Sequence, residues 1–284
     1  MLDLSIKATG ALVAVPDVAA KEIPAFVADV RSVIAAAPAR AAEANSVVVM
    51  PGNATFSTIG DALNSITDAS QQKQYLVQVG PGTYTETVIC KPWVFIQGAG
   101  EQETTITAAA GPTQMDKGTV RGCSNSAVQN VTIISNGQTW GDWSVAVNCD
   151  GAQNFDIENC SMQANGPEGS NLVAVSVDYS SIGGGSQVHI AYSTIVGNGG
   201  TQPIGLVAFA RSYVEVTDSS IVAENANTTW GAASNGQSAL MLYNCTVQGT
   251  MSLEIPDYTS KIEARDCQLI GPYSNGVVII NDNE

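Results

Sequence analysis

The chain has 284 residues, 44% of them hydrophobic and only 13% charged, with 27 glycines, a composition that can fill a core and favours β structure with tight turns. Its net charge of −15, from 11 basic against 26 acidic residues with no cluster of Lys or Arg, argues against a nucleic-acid partner. No apolar run is long enough to span a membrane, Met1 to Lys7 do not open like a secretory leader, and no compact run of carboxylates resembles a calcium loop. No metal, cofactor or membrane contact is therefore expected.

In chain order, Leu2 to Val15 alternate well enough for one or two strands. From Asp17 to Ala44 the residues Ile23, Phe26, Val27, Val30, Val33 and Ile34 follow helical spacing and predict an amphipathic helix. Such a helix either plugs the open end of a solenoid or serves as an attachment or oligomerisation element. Residues 1–46 are thus expected to form an N-terminal segment of strands and capping helix, and residues 47–284 the main domain.

The main domain repeats. Five segments share the pattern apolar, x, apolar, x, [Asn/Asp/Tyr], [Cys/Ser], x, apolar: 155–162, 188–195, 214–221, 240–247 and 262–269, with a weaker copy at Asn130. The fifth position falls at 130, 159, 192, 218, 244 and 266, so the period runs from 22 to 33 residues. That length holds two or three short strands separated by Gly/Asn-rich turns but no long helix. The expected fold is all-β, a parallel β-helix solenoid. Stacked coils align Cys160 with Ser193, Ser219, Cys245 and Cys267, which predicts buried, reduced thiols acting as small apolar groups. The stacked Asn and Asp positions predict a hydrogen-bonded ladder.

Three stretches carry a family resemblance: Phe56 to Leu63 (FSTIGDAL), Tyr75 to Glu86 (YLVQVGPGTYTE) and Phe95 to Ile106, which opens FIQGAG. In order and spacing they resemble the N-terminal coils of pectin methylesterase-like right-handed parallel β-helices, within the pectin lyase-like superfamily. The resemblance implies a catalytic set: a Gln opening a QAVAL-like strand, a Gln-Asp pair one turn later, an Asp in a GTVDFIFG-like strand, and Arg and Trp from a GRPW-like loop. Here the first strand reads Trp143-Ser144-Val145-Ala146-Val147, Gly166-Pro167 stand at the Gln-Asp pair, and the coil from Ser193 to Thr201 has Gly for the nucleophilic Asp. No GRPW equivalent appears; the nearest arginine is Arg211. Methylesterase chemistry, which needs a nucleophilic carboxylate, an acid/base and oxyanion donors, is not expected from this set.

Two other groups of residues are candidates. The residue after the first apolar position of successive repeats is Asp156, His189, Glu215, Met241 and Glu263, stacked about 4.8 Å apart. Asp156, His189 and Glu215 are candidate acid/base or metal-binding residues, or simply the polar outer positions of a solvated sheet. Trp140-Gly141-Asp142-Trp143 and Trp230 occupy equivalent turns about three coils apart, roughly 14 Å, with Glu168 in the turn between. Trp140, Asp142, Trp143, Glu168 and Trp230 are candidate glycan contacts, because sugar rings stack on indoles while carboxylates accept hydroxyl protons. The alternatives are that the indoles fold back onto the solenoid or pack against a second subunit.

Function follows as an expectation with three branches. The first is a noncatalytic structural or surface protein, of the phage-type virion, tail-fibre, decoration or adhesin kind, which contacts polysaccharide or cell-surface glycan and assembles as a homo-oligomer. The second is a polysaccharide-active lyase, hydrolase or esterase using exposed carboxylates. The third is a secreted carbohydrate-binding module. The expected location is extracellular or virion-associated, after synthesis in the cytosol.

Overall fold

A computed structural model of the chain describes residues 45–52, 55–109, 117–180, 184–257 and 259–281. The expected strands at Leu2 to Val15 and the expected helix at Asp17 to Ala44 lie outside the described residues. Residues 45–284 form one compact unit, opened by the strand Asn45–Val49.

The chain winds through three parallel sheets in a fixed order, one strand of each per full coil. Sheet 1 has ten strands and runs from Asn45–Val49 through Phe155–Glu158 and Gln187–Ala191 to Val278–Ile280. Sheet 3 has eight strands, from Gly82–Thr85 to Gln268–Ile270. Sheet 2 runs from Val88–Ile89 to Met251–Glu254, with the short Gly184–Gly185 strand pairing antiparallel beside Asn171–Ser180. Each coil goes from sheet 1 through a corner to sheet 3, crosses to sheet 2, and returns. This is a right-handed parallel β-helix.

Alternation aims one side chain in two at the axis, and parallel register stacks these side chains coil on coil. On sheet 1 the column Val77, Ile96, Val128, Ile157, Ile190, Val216, Leu242 and Ala264 is continuous in register, each at most 1% exposed. On sheet 3 the column Ile106, Ile133, Met162, Ile195, Ile221 and Val247 is fully buried. Full burial of such a side chain contributes about 1.5–3 kcal/mol, so each coil is held mainly by its own inward residues and those of its neighbours.

The repeated [Asn/Asp/Tyr] positions are the corner between sheets 1 and 3. Asn130, Asn159, Tyr192, Asp218, Asn244 and Asp266 all have positive φ, between 48° and 57°. That left-handed conformation explains the residue type, because Asn and Asp tolerate it best among residues with a Cβ. The expected ladder of side-chain hydrogen bonds is only partly realised there: Asn244 Nδ2 donates to Asp218 Oδ1 at 2.6 Å. A longer ladder lies at the far end of sheet 3, where Asn225 Nδ2 donates to Asn198, Asn198 to Asn165 and Asn165 to Asn136, at 2.7, 3.1 and 3.3 Å. The next corner position is buried at Cys160, Ser193, Ser219 and Cys245 and only partly buried at Cys267. Cys160 and Ser193 donate backbone N–H bonds to the Ser193 and Ser219 hydroxyls of the following coil.

The stretches that carry the family resemblance prove to be structural. Thr58 caps the short helix Ile59–Ser65, accepting from Asp61 N, and Glu86 from the next coil accepts from Ile59 N and Gly60 N at 2.8 Å each. A carboxylate at a helix start satisfies donors that the helix itself leaves open. Thr104 Oγ1 accepts from Ala99 N and donates to Gly80 O, tying three successive segments together.

Candidate functional site

Strands enter sheet 2 from loops of unequal length, and these loops hold most of the candidate glycan contacts. Between Thr132–Asn136 and Trp143–Asp150 lies the loop with Trp140 and Asp142, and between Ser161–Gly166 and Asn171–Ser180 lies the one with Glu168. The two stack: Gly141 N donates to Gly169 O and Asn171 N donates to Asp142 O, at 2.9 and 2.8 Å. The Trp140 indole lies over Gly169, whose φ is +88° and where any Cβ would overlap the ring. Trp140 itself is 82% exposed. The result is a shelf of two hydrogen-bonded loops carrying one exposed indole, with Glu168 also exposed beside it.

The other candidates in this group take different places. Asp142 is buried and accepts from Gln138 N, Thr139 N and Thr139 Oγ1 at 2.8, 2.8 and 3.2 Å. Those backbone donors hold its carboxyl below the usual carboxylate range, so it staples the loop that presents Trp140. Trp143 and Trp230 are the first residues of their strands. Both are half-buried against a second apolar cluster, Val145, Val173, Val207 and Ala233, separate from the main core on the opposite face of sheet 2, with Ile204 and Phe209 alongside. For these two indoles the fold-back placement is the one observed, because a sheet face already apolar gives a large ring more buried area than a polar loop does.

The positions at which the resemblance implies catalytic groups come together at the same shelf. Gly166 pairs with Gly199, Gly200 N donates to Gly166 O at 3.0 Å, and Trp143 pairs with Asn171. Backbone amides and carbonyls, an indole, Pro167 and the exposed Glu168 carboxylate occupy this ground.

The column on sheet 1 is assembled in register, Asp156 beside His189 beside Glu215 beside Met241 beside Glu263. It is not the solvated outer surface that alternation suggests, for Asp156, His189 and Met241 are 7, 5 and 6% exposed. Burial pushes the His189 imidazole down to about 4, so the ring is neutral at pH 7 and its 3.8 Å approach to Asp156 is a contact, not an ion pair. Burial raises the Glu215 carboxyl, with the Tyr213 phenol donating to Glu215 Oε2 at 3.4 Å in partial compensation. Arg265 approaches Glu263 at 3.5 Å. No group of three or more His, Cys, Asp or Glu among the described residues is arranged to hold a metal ion. Asp156 and His189 are buried, whereas Glu215 and Glu263 remain partly exposed.

All six cysteines are free. Burial pushes the Cys123 thiol up to about 11 and the Cys160 thiol up to about 12, so neither supplies a thiolate nucleophile near neutrality. No helix among the described residues is long and apolar enough to cross a membrane.

Sequence reading missed the asparagine ladder, although its signal was present: Asn136-Gly137, Asn165-Gly166 and Asn198-Gly199 recur at the coil period. It also missed the serine ladder on the return to sheet 1, where Ser186 N, Ser212 N and Ser238 N donate to the hydroxyls of Ser212, Ser238 and Ser260.

A family model described as Pectinesterase matches residues 45–166. No curated protein sequence matches the chain. Among solved structures, the pectin methylesterase from carrot is similar with a TM-score of 0.64 and 14% identity, over 84% of this chain and 83% of that one. The Aspergillus niger pectin methylesterase in deglycosylated form has a TM-score of 0.60 and 17% identity, over 84% and 81%. A pectin methylesterase in complex with a hexasaccharide has a TM-score of 0.54 and 14% identity, over 83% and 93%. Identity at this level speaks for fold alone, and with the three parallel sheets it is decisive on that point: the chain carries the right-handed parallel β-helix of the pectin methylesterases.

Proposed function

We propose that this solenoid is a glycan-contacting protein that binds polysaccharide at the shelf under Trp140 without hydrolysing it. The observation that carries the reading is the exposed Trp140 indole set beside Gly169 on a loop stapled by Asp142. It is a preorganised platform of the kind on which the apolar face of a sugar stacks. Pro167 and the glycines at 166, 199 and 200 support the noncatalytic side of the reading, because they supply no side-chain carboxylate or amide where the resemblance calls for them. The similar fold seen in complex with a hexasaccharide supports a polysaccharide partner. An extracellular setting, as part of a virion, tail fibre or adhesin assembly, fits a rigid solenoid, and light scattering tests the assembly: a monomer at all concentrations removes it.

Affinity electrophoresis through gels containing pectin, xylan, galactan or a bacterial exopolysaccharide tests the binding. The parent protein is expected to be retarded by at least one polymer, and Trp140→Ala to migrate freely. Retardation that survives Trp140→Ala removes the shelf from the reading.

A second reading, esterase action on polysaccharide, is favoured by the match of the Pectinesterase family model across residues 45–166. Glu168 is the exposed carboxylate on the shelf that such chemistry would draw on. Methanol release from methyl-esterified pectin separates the two readings.

A further inference from the structure

Six coils turn the corner between sheets 1 and 3 with a left-handed residue, and five of the six use Asn or Asp. The exception is Tyr192, with φ 51°. An aromatic side chain in this conformation is disfavoured, and a disfavoured residue held in place by its surroundings is a pointer to function. Tyr192 is 44% exposed and borders a shallow depression of about 440 Å³, lined also by Thr194, Asp218, Ser220, Asn244 and Thr246.

We infer that this depression is a second glycan subsite, which seats a pyranose ring of a neutral chain on the Tyr192 ring. Two rows of groups run along the solenoid axis. The corner row is Tyr192, Asp218 and Asn244; the strand row is Thr194, Ser220 and Thr246, which are register partners. Rows repeat at about 4.8 Å, close to the advance of one pyranose ring in an extended glycan, so successive rings meet equivalent groups on successive coils. The Asn244 amide donates to Asp218 Oδ1 at 2.6 Å, which orients Asp218 Oδ2 and Asn244 Oδ1 as acceptors for sugar hydroxyls, while the Thr and Ser hydroxyls serve as donors or acceptors. The tyrosine ring offers the apolar face that a sugar stacks on.

Charge decides the ligand class. No Lys, Arg or His lines the depression, one carboxylate does, and the chain carries a net charge of −15. A uronate would meet repulsion and find no cation; a neutral hexose or pentose meets neither obstacle. The site is open and shallow, so affinity for one ring is low and grows with chain length. It lies on a different corner from the Trp140 shelf, although it rests on the same glycan-contacting reading.

The test is an amide chemical-shift titration of the whole chain with neutral gluco-, galacto- and xylo-hexaoses and with hexagalacturonate, repeated on Tyr192→Asn and Trp140→Ala. Asn is the residue that neighbouring coils place at this corner, so Tyr192→Asn keeps the turn and is expected to melt higher than the parent. The inference expects a neutral hexaose to shift the amides of Thr194, Asp218, Ser220 and Thr246, Tyr192→Asn to weaken that response at least tenfold, and Trp140→Ala to abolish only shifts in residues 138–142 and 166–170. Unmoved corner amides, an unchanged response in Tyr192→Asn, or a stronger response to hexagalacturonate overturns it. Shifts confined to the shelf overturn the corner site and keep the Trp140 reading; no shift anywhere overturns both.

Discussion

The corner between sheets 1 and 3 and the loops between sheets 3 and 2 are made by the same coils under opposite rules. Every corner from Asn130 to Asp266 spends two residues, one left-handed and one small or buried, before the next strand begins. The crossings to sheet 2 vary, from the ten residues between Ala109 and Val120 to the two between Gln248 and Met251. A corner that carries inward columns of two sheets into register has no freedom in length, since one extra residue would turn every following side chain to the other face. The crossing loops project from the stack and can lengthen at little cost, so exposed groups collect there. Where a corner keeps this conformation but not the Asn or Asp that suits it, at Tyr192, the residue type needs its own explanation.

The largest expected effect breaks that contrast directly. Inserting one glycine between Asn159 and Cys160 disrupts the inward columns of adjoining coils and is expected to cost on the order of 5 kcal/mol or to prevent folding, whereas the same insertion between Glu168 and Gly169 costs about 1 kcal/mol or less. Urea unfolding of the two variants checks this, and equal losses would erase the distinction. Within the stack, Ile157→Ala removes a side chain that is 1% exposed and is expected to cost about 2–5 kcal/mol.

The buried column on sheet 1 gives an effect of intermediate size that depends on pH. His189 has its folded-state pKa held near 4 by burial, against an ordinary value of 6.5. Between those values the unfolded chain binds a proton that the folded chain refuses, so stability falls as pH drops from about 6.5 towards 4, by on the order of 3 kcal/mol in all. His189→Gln should flatten the stability profile in that window. A profile of unchanged slope would mean that the ring is protonated in the fold.

Smaller still, Asn159→Ala puts a methyl side chain into a left-handed corner at φ 51° and should cost about 1–2 kcal/mol, most of it recovered by Asn159→Gly. Trp140→Ala, at an exposed loop position, should change stability by less than about 0.5 kcal/mol while removing polysaccharide retention. A large stability loss there would make the indole a structural group.

Much of the fold was legible because its determinants are local. Alternation fixed the inward columns, the five copies from Phe155 to Leu269 marked the coils, and the resemblance over residues 56–106 supplied handedness. The corner was located correctly but for an incomplete reason, since side-chain hydrogen bonding was expected where backbone conformation dominates. Less of the site was legible. Alternation says which face Asp156 and His189 point to and nothing about how exposed that face is. The run Leu172-Val173-Ala174-Val175 is apolar on both faces of its strand, so the outer apolar cluster that takes up Trp143 and Trp230 could not be separated from the core by pattern alone. Asp142 looked like a carboxylate for a ligand because its three partners are backbone and hydroxyl groups of its own loop, which only the folded turn brings together.

Methanol release from highly methyl-esterified pectin, measured over a day at pH 5 to 8 with the intact chain, bears most directly on a pectinesterase-like solenoid that contacts glycans without cleaving their esters. The account predicts no release above buffer, alongside Trp140-dependent retention on at least one polysaccharide. Steady release that disappears in Glu168→Gln would contradict it and make the shelf a catalytic site.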